Sequence, residues 1–352
     1  DTHFDETGQC SDCSAFERRK EVDWNQRAKE LADLLERHYD PSAPFDCVVP
    51  SSGGKDSHYQ VLKLIELGAR PLVVTATTCH LTPIGRHNID NLARYATTIE
   101  VSPNKRTRAI LNRLGLELVG DISWPEHVSI FTIPQKIAAM HHIPLIFYGE
   151  NPQTEYGGPP GSQESREMTR RWVSEFGGFL GLRPSDLIGK HGITLRDMSD
   201  YLPADMEDWE PDTPPEAYFL GQFLPWDSHQ NAREARKAGM GGIFDGLAPC
   251  PASFWHYENL DNAQTGIHDH MMFRKYGYGR LAAQVSVDIR NGRMDRATAL
   301  ELVQERDGLF PETYAGVPVT EVLYRLRMTR EMLFAFMDRF TNLDIMVQLA
   351  DE

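Results

Sequence analysis

The chain contains no apolar run approaching the roughly 18 consecutive residues that a membrane-spanning helix needs, and this absence excludes a membrane span. Its first residues, Asp-Thr-His-Phe-Asp, form neither a basic region nor the start of an apolar run, so no signal peptide is visible. No initiator Met precedes them, and we therefore expect residues upstream of Asp1 to be missing from the sequence.

Cysteine is scarce, with five residues in a chain of 352. An odd and sparse set in a protein of this size is not the disulfide framework of a small secreted domain. We therefore predict a reducing compartment, namely the cytoplasm.

Positive charge is also in short supply, because 36 Lys and Arg residues face 51 Asp and Glu residues and leave a formal net charge of −15. Non-specific affinity for nucleic acid comes mainly from basic side chains that neutralise phosphates. The acidic balance therefore argues against a large polyanionic partner, whereas small phosphorylated ligands remain compatible with it.

From residue 45 onward, short buried strands alternate with helices. The apolar pattern predicts strands over 47–49, 71–76, 98–101 and 143–148, and helices over 55–67, 84–95, 105–114 and 126–141. Strand–helix units of this length imply an α/β fold with a parallel, doubly wound sheet that is covered on both faces. Such sheets bind their ligands at the carboxyl ends of the strands.

Two regions flank this α/β domain, so we predict three domains over residues 1–44, 45–158 and 159–352. The N-terminal segment carries a Cys-x-x-Cys pair and a helix that Asp23 is expected to cap. The C-terminal region is expected to be mostly helical and to shape the second half of the ligand pocket. Its predicted helices cover residues 164–176, 228–238, 280–290, 296–305 and 319–340.

The segment Ser-Ser-Gly-Gly-Lys-Asp-Ser at residues 51–57 falls between a predicted strand and a predicted helix. Adjacent glycines let the backbone approach an anion closely, and their N–H groups converge with the positive end of the helix. The segment is not a Walker A loop, because Asp56 follows Lys55 and the earlier glycine of that motif is absent. It predicts a phosphate-binding loop, and an ordinary Gly-Gly turn with a helix cap is the simpler alternative.

Asp56 is unfavourable beside phosphates unless a divalent cation lies there, and Mg²⁺ bridging a polyphosphate would suit it. The order Ser-Gly-Gly-x-Asp-Ser resembles the signature of the PP-loop ATP pyrophosphatases. The resemblance implies cleavage of ATP between its α- and β-phosphates, with transfer of the adenylate to a substrate oxygen. It implies that ATP is bound by Ser52, Gly53, Gly54, Lys55, Asp56 and Ser57, and that adenine rests against the backbone of Val74, Thr75 and Ala76.

Further segments narrow the resemblance. A Gly-Glu-Asn-Pro block begins at residue 149, and polar-aromatic clusters occupy residues 255–261, 266–269 and 273–280. Together with the loop and the Cys pair, they resemble the N-acetyl sugar amidotransferases of bacterial surface-glycan biosynthesis over nearly the whole chain. In that family the acetamido group of an activated sugar, usually nucleotide-linked, becomes an acetamidino group. AMP is attached to the amide oxygen, ammonia attacks the carbon, and AMP departs.

The resemblance suggests roles for individual residues. Candidates for catalysis are Lys55, Asp56, Glu150 and Asn151, and candidates for substrate binding are Glu155, Tyr156, Tyr257, Asn259, His268, Lys275 and Arg280. Two alternatives remain open. Glu150 and Asn151 could be a capping pair that closes a strand end, and His268 with Asp269 could be either a base with its orienting carboxylate or a structural hydrogen bond.

The thiols of Cys10 and Cys13 have the spacing of half a zinc site. In the amidotransferases that the chain resembles, a second Cys-x-x-Cys pair usually comes shortly before this point, and four thiolates would hold a structural zinc. This chain begins too late to show that pair. A structural Zn²⁺ and two reduced thiols therefore remain alternatives.

The source of nitrogen is expected to lie outside this chain. Glutamine hydrolysis needs an activated cysteine, either N-terminal or on a strained Gly-x-Cys-x-Gly elbow, and none of the five cysteines has that setting. The resemblance implies a separate glutaminase with a barrel-type synthase, similar to the pair used in histidine biosynthesis.

Three rival functions remain open. A tRNA-thiolating enzyme shares the PP-loop and Cys pairs but needs a basic face, which the charge of −15 disfavours. An amide-forming synthetase of the asparagine or guanylate type is a second enzyme rival. A subunit that binds adenine nucleotide without catalysis is the non-enzymatic alternative.

Overall fold

The computed structural model describes residues 4–152, 165–203, 215–242 and 248–351, without the side chains of residues 350 and 351. The central sheet consists of β1 (Cys47–Pro50), β2 (Pro71–Ala76), β3 (Thr97–Val101), β4 (Leu145–Tyr148) and β5 (Glu216–Phe219). All neighbouring strands are parallel, in the order β3-β2-β1-β4-β5. The α/β prediction is confirmed, and the predicted helical region contributes a strand of its own.

Helices surround this sheet in both halves of the chain. Before β4 they are α1 (Ser11–Arg19), α2 (Trp24–Arg37), α3 (Lys55–Glu66), α4 (Pro83–Leu92), α5 (Lys105–Val119) and α6 (Trp124–Met140). After β4 they are α7 (Arg170–Phe176), α8 (Ser228–Lys237), α9 (Thr265–Tyr276), α10 (Arg280–Arg290), α11 (Arg296–Arg306), α12 (Val319–Leu326), α13 (Arg330–Arg339) and α14 (Leu343–Asp351). A short antiparallel pair, β6 (Thr313–Tyr314) and β7 (Val317–Pro318), precedes α12.

The two faces of the sheet carry separate apolar cores, because successive side chains of a strand point to opposite faces. On one face, Cys47 and Val49 of β1 pack with Leu31 of α2 and Leu64 of α3. On the other face, Val48 packs with α6 and α7 side chains, including Ile137 and Trp172. Burial on both faces explains why β1, β2 and β4 read as nearly continuous apolar runs.

The C-terminal helices form a further core against the α5–α6 junction, where Leu116 and Ile122 contact side chains of α9, α12 and α13. The helix predicted over residues 319–340 is two helices, because Arg327 adopts a left-handed conformation with φ of 53° after α12. At the other end of the chain, Asp23 caps α2 as predicted, accepting from the N–H groups of Asn25 and Gln26 at 3.0 Å. Among the described residues, no helix is both long enough and apolar enough to cross a membrane.

The strand order determines where a ligand site can form. The chain adds β2 and β3 on one side of β1 and then β4 and β5 on the other. The connections from β1 and β4 therefore leave their carboxyl ends in different directions, and a crevice opens between these two strands.

Candidate active site

The loop over residues 51–57 leaves the carboxyl end of β1 and runs directly into α3. Gly53 has φ of 80°, a conformation that glycine adopts without strain, and a Cβ there would lie 2.9 Å from the backbone nitrogen of Ile89. Gly54 is the N-cap of α3 and makes no side-chain cap hydrogen bond. The first-turn N–H groups of a helix have no intrahelical acceptor, so this end of α3 offers donors and positive potential to an anion.

The serines of the loop fix its shape. The N–H of Gly53 donates to Ser51 Oγ at 3.0 Å, and the N–H of Gly54 donates to Ser52 Oγ at 3.3 Å. The N–H of Ser52 in turn donates to Ser57 Oγ at 3.3 Å across the turn. The loop is therefore held in a tight conformation before any ligand binds, which reduces the entropy cost of binding.

Lys55 is the buried cation of the loop, with 5% of its surface exposed. Its ammonium donates to Asp56, and Asn231 of α8 donates to the other oxygen of that carboxylate at 2.9 Å. Burial lowers the pKa of Lys55, but the carboxylates of Asp56, Glu258 and Glu150 outweigh burial and hold the pKa above its usual value. Lys55 therefore stays charged at neutral pH among three acidic groups.

Glu150 reaches this cluster from β4, the strand beside β1 in the sheet. Because the carboxyl ends of parallel neighbours meet at one edge, a residue just past β4 lies next to the loop that follows β1. Asn151 is buried, and its amide donates to the carbonyl of Ser165 at 3.3 Å. The structure thus brings Glu150 to the loop, while the side-chain amide of Asn151 contacts the backbone.

Residues 257–261 approach the loop from the C-terminal half of the chain. An antiparallel bridge joins Leu81 to Asn262, and the N–H of Thr82 donates to the carbonyl of Asp261 at 3.0 Å. Gly85 of α4 permits this approach, because a Cβ there would lie 2.6 Å from Cα of Asp261. These contacts tie a segment without regular secondary structure to the start of α4.

Helix α10 supports the same segment from behind. The buried Gln284 accepts from the N–H of Phe254 at 2.6 Å and donates to Glu258 Oε2 at 2.6 Å. Arg280, the first residue of α10, donates to both carboxylate oxygens of Asp269 at 2.9 and 3.2 Å. Glu258 and Arg280 are therefore held in defined positions by buried polar partners.

These elements enclose a pocket of about 220 Å³ at the crevice between β1 and β4. Its lining residues are Ser52, Gly54, Lys55, Asp56, Ser57, Glu150, Tyr257, Glu258, Asn259, Asp261 and Arg280. The lining contains more acidic than basic side chains, so a triphosphate would need an added cation to bind here. Carboxylate oxygens are the protein ligands that Mg²⁺ prefers, and the acidic side chains of this lining are of that chemical type.

Two of these residues, Glu258 and Asp261, were missed by sequence reasoning. They lie inside the polar-aromatic cluster over residues 255–261, in which Tyr257 and Asn259 were singled out. Burial raises the pKa of Asp261 to about 6, and the nearby Glu126 adds to the effect. The density of acidic residues next to aromatic ones in that cluster was the available signal.

Other predicted residues lie elsewhere. His268 contacts Asp121 at 2.7 Å, and Asp269 pairs with Arg280, so the proposed His268–Asp269 pair does not form. Lys275 donates to the carbonyl of Val119 at 3.0 Å, at the end of α5. Consecutive residues of a helix point in different directions, which explains why neighbours in sequence find different partners.

The predicted adenine contacts, Val74, Thr75 and Ala76, form the carboxyl end of β2. The N–H of Ser51 donates to the carbonyl of Val74 at 2.9 Å, which places this strand end beside the loop. Their contact with adenine stays a prediction. Glu155 and Tyr156, and the domain boundary predicted at residue 158, lie outside the described residues.

Cys10 and Cys13 lie at the start of α1, where Cys10 is the N-cap and accepts from the N–H of Cys13 at 3.4 Å. Burial and the neighbouring Cys10 raise the pKa of the Cys13 thiol to about 11. No third His, Cys, Asp or Glu of the described residues brings a ligand atom into a group with this pair. The described residues therefore do not complete a zinc site at Cys10 and Cys13.

Comparison with known proteins bears on the C-terminal side of the pocket. Residues 252–346 match the family model described as "LPS biosynthesis protein WbpG-like, C-terminal domain". The match spans the segment that contributes Tyr257, Glu258, Asn259, Asp261 and Arg280 to the pocket. No curated protein matches the chain. The match supports a role in the biosynthesis of surface polysaccharide.

Proposed function

We propose that this protein is an ATP-dependent amidotransferase that converts the acetamido group of a nucleotide-linked N-acetyl sugar into an acetamidino group. The observation that carries the proposal is the convergence on one pocket of the loop over residues 51–57, Glu150 after β4, and the segment over residues 257–261. The loop has the features of a triphosphate site. The segment falls within the match to a lipopolysaccharide-biosynthesis family.

The proposed reaction has two steps. The amide oxygen attacks the α-phosphorus of ATP, forming an O–P bond and breaking the bond to the bridging oxygen, so that pyrophosphate leaves. Ammonia then adds to the amide carbon and gives up one proton, and AMP departs with the original oxygen. Adenylation is needed because an amide carbonyl is a poor electrophile and its oxygen is otherwise a poor leaving group.

Lys55 and the N-terminus of α3 would hold the β- and γ-phosphates, the part of ATP that leaves. Charge accumulates on these phosphates in the first step, and a buried, preoriented ammonium stabilises such charge more strongly than water does. Mg²⁺ would neutralise phosphate charge, with Asp56 and the nearby Glu258 and Glu150 as candidate ligands.

The remaining pocket residues are placed to bind the sugar and the incoming ammonia. Glu150 is the candidate for orienting ammonia and accepting its proton, since it enters from the strand next to the loop. Tyr257, Asn259 and Arg280 line the side formed by the C-terminal region and are the candidates for sugar or diphosphate contacts. Asn151, His268 and Lys275 are less favoured in these roles, because their polar atoms contact Ser165, Asp121 and Val119 respectively.

Ammonia is proposed to come from a separate glutaminase acting with a barrel-type synthase, as the sequence resemblance implies. Cys47, Cys79 and Cys250 are poor candidates for a glutaminase nucleophile, because burial raises the pKa of each of these thiols. A raised pKa removes the thiolate that a glutaminase nucleophile needs.

The test is to incubate the purified chain with ATP, Mg²⁺, ammonium and a panel of nucleotide-linked N-acetyl sugars. The proposal predicts AMP, pyrophosphate and a slightly lighter sugar product for at least one substrate. Release of AMP that requires tRNA would instead favour a thiolating enzyme. ATP binding without turnover on any sugar, amide donor or tRNA would favour a nucleotide-binding subunit.

A further inference from the structure

A second cluster of polar side chains lies at the junction of α5 and α6, among residues that the proposed reaction does not use. Within the part of the chain that the structure describes, Asp121, His127 and His268 bring one ligand atom each to within 4.8 Å of one another. Asp121 lies in the turn between α5 and α6, His127 in the first turn of α6, and His268 in α9. Residues far apart in sequence therefore meet at one point.

Backbone hydrogen bonds and a close glycine contact fix the turn that carries Asp121. Gly120 ends α5 with φ of 65°, and the N–H of Asp121 folds back to the carbonyl of Gly115 at 3.1 Å. Gly115 is needed for this approach, because a Cβ there would lie 2.5 Å from the carbonyl oxygen of Asp121. The N–H of Ser123 donates to Asp121 Oδ1 at 2.8 Å and fixes the carboxylate.

Helix α9 packs against the α5–α6 turn over about three helical turns of its length. Gln264 donates to Glu126 Oε2 at 3.0 Å, and Lys275 donates to the carbonyl of Val119 at 3.0 Å. His268 lies between these two contacts, with Nδ1 at 2.7 Å from Asp121 Oδ1. The position of His268 is therefore imposed by contacts on either side of it.

The geometry at His127 is not that of a hydrogen bond. Its Nδ1 lies 3.1 Å from Asp121 Oδ2, yet this buried nitrogen has no hydrogen-bond partner among the described residues. Both histidines turn the same ring nitrogen, Nδ1, towards the carboxylate, and their rings meet edge to face with centroids 5.1 Å apart. The three ligand atoms therefore face one another, and a shared cation would take the place of the proton in the hydrogen bond between His268 and Asp121.

We propose that Asp121, His127 and His268 bind a divalent transition-metal ion, with Zn²⁺ as the first candidate. Imidazole nitrogen and carboxylate oxygen are ligands that Zn²⁺ takes at about 2.0–2.2 Å. Because His268 Nδ1 and Asp121 Oδ1 are 2.7 Å apart, the side chains would have to rotate to admit an ion at these distances. The histidine side chains are 28% and 23% exposed, so the cluster lies near the protein surface.

Such an ion would cross-link the α5–α6 turn to α9. Helix α9 directly follows the segment that carries Glu258 and Asp261, so the cross-link would also hold one wall of the 220 Å³ pocket in place. The site itself does not depend on the proposed amidotransferase reaction. The ion would link the region over residues 252–346, which includes His268, to the α/β domain, which includes Asp121 and His127.

The experiment uses the full chain carrying Cys10→Ser and Cys13→Ser, so that thiolates do not contribute. After treatment with a chelator and its removal, the protein is titrated with Zn²⁺ by calorimetry and with Co²⁺ by absorption. We expect one ion per chain. His127→Ala and His268→Ala should each weaken binding by more than the roughly 10–100-fold that loss of an outer-sphere partner costs.

His87→Ala serves as the matched control, because this exposed helical histidine lies outside the cluster. It should bind Zn²⁺ as the parent does and keep the rise in melting temperature that Zn²⁺ produces. Failure of the parent to take up either metal would overturn the proposal, as would unchanged affinity in a folded His127→Ala variant. If His268→Ala does not fold, the parent titration and the more exposed His127 decide the question.

Discussion

Replacement of Lys55 by Met removes the single buried ammonium of the loop while keeping most of the side-chain volume. Two unit charges about 4 Å apart interact by roughly 4 kcal/mol at an effective dielectric constant near 20. Three carboxylates act on Lys55, those of Asp56, Glu258 and Glu150. Without the ammonium, these groups repel both one another and the phosphates of ATP.

Two effects follow from this charge imbalance. Loss of one preoriented charge that stabilises a developing anion costs about 10²–10³ in kcat, and we expect Lys55→Met to lose AMP formation by that factor. Removing one partner of a buried ion pair also costs about 3–5 kcal/mol of stability. We expect the lower end of that range, because Asp56 is 23% exposed on its side chain and keeps its hydrogen bond from Asn231.

The assay pairs urea unfolding with measurement of AMP release, each with and without Mg²⁺. Mg²⁺ should raise the free energy of unfolding more in Lys55→Met than in the parent, because the Lys55 ammonium no longer competes with the ion for these carboxylates. Lys63→Met, on the same helix but in an exposed pair with Glu66, is the control and should change neither quantity much. A folded Lys55→Met variant with the parent's AMP release would refute this account of the loop.

The remaining predictions concern backbone and charge at the same pocket. Gly53→Ala should destabilise the protein by more than Gly68→Ala. Both glycines have positive φ, and an alanine in that conformation costs about 1–3 kcal/mol of stability. A Cβ at Gly53 would in addition lie 2.9 Å from the backbone of Ile89, whereas a Cβ at Gly68 would meet nothing within 4 Å. Equal losses in urea unfolding would remove the packing argument. Asp261→Asn should gain stability relative to the parent as the pH rises from 4 to 7 in the absence of divalent ions. The pKa of Asp261 is raised from 3.8 to about 6, so the folded parent binds a proton more tightly than the unfolded chain does. The parent therefore loses stability as this proton dissociates, by at most roughly 3 kcal/mol, whereas Asp261→Asn does not. A stability difference independent of pH would contradict the burial of this carboxyl group.

Local sequence was sufficient for the part of the site that lies in one segment. The strand β2 occupies the residues predicted for it, 71–76, and the loop over residues 51–57 follows β1 and begins α3 as expected. Gly-Gly, a helix start and apolar strand runs are short-range signals, so no long-range contact is needed to read them. The residues of the loop that line the pocket were all named from the sequence.

Long-range contacts account for what the sequence did not reveal. β5 is four residues long, too short for periodicity to distinguish it, and it joins the sheet only through its pairing with β4. The bridge between Leu81 and Asn262 holds the segment with Glu258 and Asp261 at the pocket, and no local sequence pattern predicts this bridge. His268 pairs with Asp121, 147 positions away, rather than with its neighbour in sequence.

The most direct measurement follows the oxygen of the substrate amide. A nucleotide-linked N-acetyl sugar labelled with heavy oxygen in its acetamido carbonyl is incubated with the chain, ATP, Mg²⁺ and ammonium, and the products are analysed by mass spectrometry. Adenylation of that oxygen predicts that the label leaves the sugar and appears in the phosphate group of AMP. Label retained in the sugar product, or found in pyrophosphate or inorganic phosphate, would contradict it.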